Sequence, residues 1–263
     1  LAAFGNGAVF MERFLPSPRH IEVQVAGDAF GNALHFAERD CSMQRRHQKI
    51  IEEAPAFGLP EKLLNDIRAA AAELVAHTGY QTVGTVEFLV QGDEFFFLEV
   101  NPRIQVEHPV TEMVTGVDLV QLQIQLAAGQ KMPMTQDEVQ VRGHSIEIRV
   151  NAEDPWTFLP SPGTITGYHA PGGPGIRIDS AVHEQAMVQP YYDSLVAKLI
   201  ATADDRPTAI KKMLWAIDQF VVEGIRTTIP LQRTLLEGDA FRESKFHTRY
   251  VDNWLQERKN SEG

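Results

Sequence analysis

Polar and apolar residues alternate without a break between positions 98 and 107. The even positions up to 106 are apolar or are occupied by Pro102. The odd positions are polar or charged: Glu99, Asn101, Arg103, Gln105 and Glu107. Because successive side chains of a strand point to opposite faces, the alternation predicts an extended segment that presents all five polar groups on one face.

The residues before this segment predict a β-hairpin. Residues 85–90 and 95–99 are rich in Val and Phe, and they flank a short polar stretch with a glycine at its centre. If the loop centres on Asp93, Glu87 lies directly opposite Glu99. Carboxylates paired in this way lie about 5 Å apart and repel each other, so we expect a proton or a cation between them.

The hairpin therefore predicts a site for a hard divalent cation, held by Glu87, Glu99 and Asn101. Arg103 follows on the same predicted face, where a guanidinium is suited to bind phosphate. An acidic surface hairpin without a metal is the alternative interpretation of the same pattern.

Hydrophobic periodicity along the rest of the chain predicts an α+β fold. Amphipathic helices are predicted over 60–78, 117–128, 207–222, 228–237 and 247–258. Further strands are predicted over 9–15, 20–26, 143–150, 164–168, 175–179 and 195–202. The Pro- and Gly-rich region 154–174 is a predicted junction between two lobes.

Composition excludes several classes of function. The formal net charge of −11 argues against nucleic acid and anionic membrane surfaces as partners. The sequence contains no run of 18 apolar residues, so it predicts no membrane span. The single Cys41 cannot form an internal disulfide, which favours a reducing cytoplasm. The sequence starts without Met or a secretory leader, so we expect it to begin within a longer protein.

A second charged cluster lies at residues 38–49 and includes Arg45, Arg46, His47 and Lys49. These residues are either a solvated face or, together with the predicted metal site, an anion-binding group. Arg149 lies on a predicted strand, where a structural salt bridge and a functional role are both compatible with the pattern.

Four stretches of the sequence resemble biotin carboxylase, an ATP-grasp enzyme. They are ERDCSMQRRHQK (38–49), FLEVNPRIQVEHPVTEM (97–113), RVNAEDP (149–155) and FLPSPG (158–163). The resemblance implies the C-terminal half of an ATP-grasp domain over residues 1–141, an antiparallel sheet with flanking helices. It implies a biotin carboxylase C-terminal domain over 142–263.

The activity that the resemblance implies is the ATP-dependent carboxylation of biotin on a carrier protein. Bicarbonate attacks the γ-phosphate to give carboxyphosphate, and the carboxyl group then passes to the ureido nitrogen of biotin. The implied cofactors are ATP, Mg²⁺ (or Mn²⁺) and biotin. Because the sequence has no Met-Lys-Met attachment site, the biotin is expected on another segment or chain.

The resemblance also implies roles for individual residues. The metal ligands are Glu87, Glu99 and Asn101, and bicarbonate and carboxyphosphate are bound by Lys49, Arg103, Gln105 and the backbone of Val106. Glu107 is the base that activates bicarbonate, and Arg149 stabilises the biotin enolate. Adenine and ribose are bound by the segment Glu12, Arg13, Phe14 and Leu15 together with His20, Gln44 and His47.

The implied partners are a biotin carboxyl carrier protein or domain, a carboxyltransferase component and, in many members of the family, a second copy in a homodimer. Pro102 resembles pyruvate carboxylases, whereas SMQRRHQK and FLPSPG resemble the acetyl-CoA carboxylase type, which serves fatty acid biosynthesis. Both parent complexes therefore stay open.

Two other functions also stay open. One is a different ATP-grasp ligase of the carbamoyl phosphate synthetase type, which would not need Arg149. The other is a non-catalytic assembly module. The Gly-rich lid of the family lies upstream of Leu1, so we expect this chain alone to turn over negligibly.

Overall fold

The computed structural model describes residue 5 and residues 7–262, with the side chains of 261 and 262 excepted. Its strands are β1 (Arg19–Gly27), β2 (Ala33–Arg45), β3 (Gln48–Ala54), β4 (Thr82–Gln91), β5 (Glu94–Asn101), β6 (His144–Asn151), β7 (Gly163–Thr164), β8 (Gly167–His169), β9 (Ile176–Ser180), β10 (Met187–Val188), β11 (Leu195–Ala203) and β12 (Val221–Glu223). Eight of them form one sheet in the order β5-β4-β1-β2-β3-β6-β11-β9. Neighbouring strands in this sheet are antiparallel.

Helices cover both faces of this sheet, and the predicted α+β class is confirmed. They are α1 (Glu61–Thr78), α2 (His108–Thr115), α3 (Leu119–Ala127), α4 (Arg206–Gln219), α5 (Ile229–Glu237), α6 (Asp239–Arg242) and α7 (Tyr250–Glu262). Within the described part of the chain, none of them combines the length and the apolar character that a membrane span requires.

The predicted first helix is confirmed almost to the residue. α1 follows Pro60, buries its apolar side against β1 and β4, and ends at Gly79. Gly79 adopts the left-handed conformation (φ 62°) that closes helices, and its N–H donates to the carbonyl of Ala76. On the same side of the sheet, α4, α5 and α7 pack against β6 and β11 around Ile146, Ile148 and Leu199.

The opposite face of the sheet carries polar groups, and α2 and α3 lie over it. α2 packs against β2, β3, β6 and β11, with Val110 and Val114 against Ala54 and Ile200. Residues paired across antiparallel strands share a face. The registers therefore put Glu22 and Glu87 together on this polar face, and they do the same for Glu52 and Glu147.

Two predicted elements are wrong. Residues 7–15 contain no strand, and Val9, Phe10, Met11 and Phe14 are exposed; alternation alone does not make a strand where no neighbour pairs with it. The extended segment expected to reach Glu107 ends at Asn101. Pro102 has no N–H for a ladder, and the chain turns there into α2, which the sequence analysis missed.

Smaller differences concern helix ends. The helix predicted over 117–128 is α3, with Asp118 as its cap accepting from the backbone N–H of Gln121. The helix predicted over 207–222 ends at Gln219 because residues 221–223 pair as β12 with β8.

Candidate functional site

A row of charged side chains crosses the polar face of the sheet. Glu99 on β5, Glu87 on β4, Glu22 on β1 and Arg39 on β2 lie in direct cross-strand register. The predicted pairing of Glu87 with Glu99 is therefore confirmed. Glu22 and Arg39 are fully buried, Glu87 is 4% exposed and Glu99 is exposed. The row thus runs from the interior of the sheet to its open edge.

Lys49 joins carboxylates from three elements. Its ammonium donates to Glu22 Oε2 at 2.5 Å, to Glu87 Oε1 at 3.3 Å and to an oxygen of Glu107. Burial alone would raise the pKa of Glu22, but Lys49 and Arg39 lower it to about 2. Burial opposes the charge of Lys49, yet the surrounding carboxylates raise its pKa above the ordinary value. Lys49 and Glu22 are therefore both ionised throughout the neutral range.

Arg39 supports this cluster from beneath. Its guanidinium donates to Glu22 and Gln24 at 2.6 Å each and to Thr111 on α2 at 3.0 Å. It also donates to Gln105 at 3.2 Å. An arginine bonded on all sides fixes the geometry of the groups it holds.

Sequence analysis missed both Glu22 and Arg39 as site residues. A signal for Glu22 was present, because the alternation of residues 20–25 puts it on one face with His20. Arg39 carried no local signal, since its partners on β1, β4 and α2 lie far away in the sequence.

The two facing carboxylates are bridged by an amide. Asn101 Nδ2 donates to Glu87 Oε1 at 3.0 Å and to Glu99 Oε1 at 3.1 Å. Glu87 also accepts from Gln105 at 2.7 Å and lies 2.9 Å from His20 Nε2. Burial acts to raise the pKa of Glu87, but hydrogen bonding by His20 and the charge of Lys49 lower it to about 2. The expected repulsion is thus relieved without a proton on Glu87.

The donor set fits a hard divalent cation. Glu87, Glu99 and Asn101 offer two carboxylates and an amide oxygen on adjacent strands, the ligands that Mg²⁺ and Mn²⁺ prefer. Arg103 follows, exposed, and donates to Asn101 Oδ1 at 3.2 Å. These side chains lie next to one another, as the sequence predicts, although Arg103 has left the strand.

Two other groups of ligand-type side chains lie nearby within the described residues. They are His20 with Glu22 and Glu87, and Glu22 with Cys41 and Glu107. Both groups already enclose the ammonium of Lys49. Burial raises the pKa of the Cys41 thiol well above its usual range. Neither group competes with the hairpin as a metal site.

Arg149 and Lys49 hold Glu107 from two sides. Arg149 Nη2 donates to Glu107 Oε2 at 2.9 Å, and its Nε donates to Glu52 Oε1 at 2.5 Å. Glu107 directly precedes α2, so these contacts fix the start of that helix. Lys198 on β11 donates to the carbonyl of Val106 at 2.9 Å. Arg149 therefore forms salt bridges with Glu52 and Glu107, and it also lines a cavity.

A cavity of about 680 Å³ brings the predicted residues together. Its wall includes the predicted metal, bicarbonate and nucleotide residues: Arg13, Phe14, Leu15, His20, Gln44, His47, Lys49, Glu87, Glu99, Asn101, Arg103, Gln105, Val106, Glu107 and Arg149. Glu12 is exposed and does not line this cavity.

The basic run at 45–49 does not act as one anion-binding group. It is the tight turn between β2 and β3, in which Arg46 and His47 both have positive φ. The turn points the charges in different directions. Arg45 stacks on Phe158, its guanidinium 3.8 Å from the ring centre, whereas His47 and Lys49 face the cavity.

Two protein-family models match the chain. The family model for the ATP-binding domain of the carbamoyl-phosphate synthase L chain matches residues 1–135. The model for the biotin carboxylase C-terminal domain matches residues 147–253. Together the two models cover most of the chain, one directly after the other. The chain belongs to the biotin carboxylase family.

Named relatives are about half identical to this member of the biotin carboxylase family over the aligned region. A biotin carboxylase of Haemophilus influenzae is 50% identical over 97% of the chain, and a pyruvate carboxylase subunit of Methanothermobacter thermautotrophicus is 47% identical over 96%. A solved dimer of the biotin carboxylase domain of Hydrogenobacter thermophilus 2-oxoglutarate carboxylase, in complex with MgADP, ADP and bicarbonate, superposes with a TM-score of 0.91. It is 44% identical and covers 96% of the chain.

This chain spans just over half of the length of these relatives. It covers 57% of the Haemophilus protein, 52% of the Methanothermobacter protein and 56% of the Hydrogenobacter chain. The residues described above are therefore one part of a larger catalytic unit in those proteins.

Replacing Glu87 by Gln should lower the free energy of unfolding at neutral pH, because it removes a buried charge that Lys49 and His20 stabilise. Since the pKa of Glu87 lies at about 2 in the folded chain against 4.5 ordinarily, its contribution is present above pH 4.5 and is lost as the pH falls towards 2. Urea unfolding at about pH 7 and about pH 3 measures the change, and the difference from wild type should shrink at the lower pH.

Glu99→Gln is the matched control, because the exposed Glu99 shares the register but not the buried partners. We expect its free energy of unfolding to stay within about 0.5 kcal/mol of wild type. Equal losses in the two variants would show that Lys49 and His20 do not account for the stabilisation. A gain in stability for Glu87→Gln would show that repulsion between the carboxylates dominates.

Proposed function

We propose that the protein carboxylates biotin on a carrier, using ATP and bicarbonate, as the first half-reaction of a biotin-dependent carboxylase. The observation that supports this most is the meeting of three groups at one cavity: the Glu87–Glu99–Asn101 oxygen ligands, the anion-binding Lys49 with Arg103, and the Glu107–Arg149 pair. Phosphate, bicarbonate and a second oxyanion would each find a partner there.

The metal site serves the nucleotide in this proposal. Mg²⁺ (or Mn²⁺) would be held by Glu87, Glu99 and Asn101, and it would neutralise negative charge on the phosphates of ATP. Glu87 is ionised for this role, because His20 and Lys49 favour its charged form. Its contacts with Gln105 and Asn101 orient the carboxylate towards the open edge of the sheet.

Bicarbonate would bind between the cationic groups and α2. Lys49 and Arg103 supply positive charge, while the side chain of Gln105 and the backbone N–H of Val106 supply donors. Glu107 would accept the proton of bicarbonate while a bicarbonate oxygen attacks the γ-phosphate of ATP. ADP would leave, and carboxyphosphate would form. Lys49 and Arg149 each hold one oxygen of Glu107, so the base is fixed in position before substrate binds.

Arg149 would act on the second substrate. Its guanidinium lines the cavity next to Glu107, where it can stabilise the negative charge that develops on the ureido oxygen of biotin. Carbamoyl phosphate chemistry has no need of a second oxyanion group at this point. The placement of Arg149 in the cavity thus favours biotin carboxylation over that alternative.

The nucleotide would lie along the opposite part of the cavity wall. We assign adenine to the backbone of 12–15 and the ribose side to His20, Gln44 and His47. We place the domain boundary near residue 141, between the two matched family models. The pairing of β3 with β6 then makes one sheet continuous across that boundary.

The proposed partners follow from the chemistry. Biotin would arrive on a carboxyl carrier protein or domain and leave towards a carboxyltransferase, and a homodimer is the assembly we assign, as in the 2-oxoglutarate carboxylase relative. We favour acetyl-CoA carboxylase as the parent complex, because the SMQRRHQK and FLPSPG stretches of this chain resemble that type. Pro102 supports a pyruvate carboxylase instead. The buried free thiol of Cys41 suits a cytoplasmic, reducing compartment.

Arg149→Ala and Arg103→Ala should separate the two halves of the reaction in the full-length protein. Arg149→Ala should spare most of the slow, biotin-independent ATP hydrolysis while lowering carboxybiotin formation about 10²–10³-fold, the usual cost of removing an oxyanion donor. Arg103→Ala should impair both bicarbonate-dependent steps. Phosphate release with and without biotin measures the split. Equal losses of both activities in Arg149→Ala, with normal bicarbonate dependence in Arg103→Ala, would overturn these assignments.

The full-length protein should release phosphate from ATP in response to free biotin, bicarbonate and Mg²⁺, whereas the 263-residue chain alone should turn over negligibly. The reason is that this chain supplies only about half of the length of its relatives. Side-by-side assays of the two proteins at equal concentration test this. If the full-length protein shows no biotin-stimulated turnover, biotin carboxylation is refuted. If the 263-residue chain alone turns over robustly, the expectation that it needs the rest of the protein is refuted.

A further inference from the structure

A pair of buried carboxyl groups lies behind the cavity wall. Glu52 on β3 and Glu147 on β6 are direct cross-strand neighbours, and both are fully buried. Residues in this relation have their Cβ atoms about 4.5–5.5 Å apart. Glu52 Oε2 and both oxygens of Glu147 have no hydrogen-bond donor among the described residues. Three buried acceptor oxygens therefore lie close together without a donor between them.

Among the described residues, Arg149 is the cation that donates to this pair, whereas Lys49 and Lys198 act on it through their charge without a hydrogen bond. Arg149 on β6 donates its Nε to Glu52 Oε1. The other packed elements also carry charged or titratable groups. Lys198 on β11 donates to the carbonyl of Val106 and forms a salt bridge with Asp179. The remaining groups are Arg177 on β9, Glu107 just before α2, and His108 and Glu112 on α2. Beside Glu147 itself, β11 contributes Ile200, which packs against Val110 and Val114.

These contacts decide which of the two glutamates carries a proton. An ionised carboxylate buried without donors costs several kcal/mol, so one of the two groups must be neutral. Burial raises the pKa of Glu52 to about 7, and the charge and Nε–H of Arg149 act against this rise. Glu147 has no such donor among the described residues. Burial and the neighbouring Glu52 carboxylate raise the pKa of Glu147 well above its usual range.

We propose that Glu147 is a carboxylic acid at neutral pH whose hydroxyl donates a hydrogen bond to Glu52 Oε2. The pair thereby positions Arg149. The pair then carries one negative charge. Both oxygens of Glu52 then accept a hydrogen bond, Oε1 from Arg149 Nε and Oε2 from the Glu147 hydroxyl. Glu52 is thereby locked, and it holds the guanidinium with its other edge on Glu107.

Neither Glu52 nor Glu147 lines the cavity, so both act through Arg149 rather than on substrate. An ionised Glu147 would place a second negative charge beside Arg149 and compete with Glu107 for it. The shared proton keeps Arg149 directed towards Glu107. This catalytic consequence rests on the biotin carboxylation proposed above, whereas the proton itself does not.

Infrared difference spectroscopy on the full-length protein tests the proton without any assay of activity. Wild type minus Glu147→Gln at neutral pH should show the C=O stretch of a protonated carboxyl group, and the band should shift in D₂O. A difference spectrum that contains only carboxylate bands would overturn the proposal. This outcome is independent of whether the protein carboxylates biotin.

Kinetics of two variants test the positioning role. In Glu147→Gln the amide N–H₂ replaces the acid as donor to Glu52 Oε2 and stays neutral, so this conservative variant should rescue the role of Glu147. In Glu147→Leu the donor is lost, and kcat/KM for biotin should fall about tenfold, equivalent to ~1.4 kcal/mol. Biotin-independent ATP hydrolysis should remain within about twofold of wild type.

The pH profile adds a readout that a purely structural role would not change. The biotin-dependent activity of wild type should decline at alkaline pH as the shared proton leaves, and Glu147→Gln should lose this limb. Equal losses in Glu147→Gln and Glu147→Leu, or an unchanged alkaline limb in Glu147→Gln, would overturn the positioning role. If Glu147→Leu does not fold, the Gln variant's profile and infrared band still decide the matter. Wild type without biotin-dependent turnover refutes the proposed function instead.

Discussion

The ammonium of Lys49 is the contact on which the rest of the site depends. It binds Glu22 from β1, Glu87 from β4 and Glu107 at the start of α2. Three carboxylates from three elements would otherwise repel one another in an interior that stabilises charges poorly. Their common cation makes the convergence of these elements stable, and it favours the charged forms of Glu22 and Glu87. The same contact therefore stabilises the fold at this point and sets the charge state of these two carboxylates.

Two arginines extend this network in opposite directions. Arg39 lies beneath Glu22 and reaches Thr111 and Gln105, so it ties the sheet to the segment that follows β5. Arg149 reaches Glu107 from β6, beyond the pairing of β3 with β6. The start of α2 is consequently held from both matched parts of the chain. As a result of that double attachment, Arg149 lines the same cavity as Glu87, Glu99 and Asn101.

Local pattern predicted the parts of the structure whose partners are close in sequence. The hairpin of β4 and β5 was predicted from its flanking strands, and its loop is the two residues between Gln91 and Glu94. The pairing of Glu87 with Glu99 also depends on a β-bulge between Glu87 and Phe88, which shifts the register by one residue and left no signal in the sequence. α1 was predicted because its apolar stripe, its first proline and its final Gly79 agree. Alternation failed beyond Asn101, because Pro102 ends the strand and the next residues turn into α2.

Long-range contacts escaped prediction for a physical reason. Arg39 finds its partners on three other elements, and Glu52 meets Glu147 only because β3 pairs with β6. Such pairings are set by the packing of whole elements and leave no periodic trace nearby. The family resemblance supplied the roles of Lys49 and Arg149, but it did not reveal the acid pair behind Arg149. That pair became visible only once burial and hydrogen bonding were known.

The most direct test of this electrostatic arrangement is a pH titration of the Glu side chains by NMR, with ¹³C-labelled carboxyl groups, in wild type and in Lys49→Met. In wild type, Glu22 and Glu87 should stay ionised down to about pH 4, since Lys49 stabilises their charged forms. In Lys49→Met, at least one of these carboxyl groups should take up a proton above about pH 5. Identical titration curves in the two proteins would contradict the role assigned to Lys49.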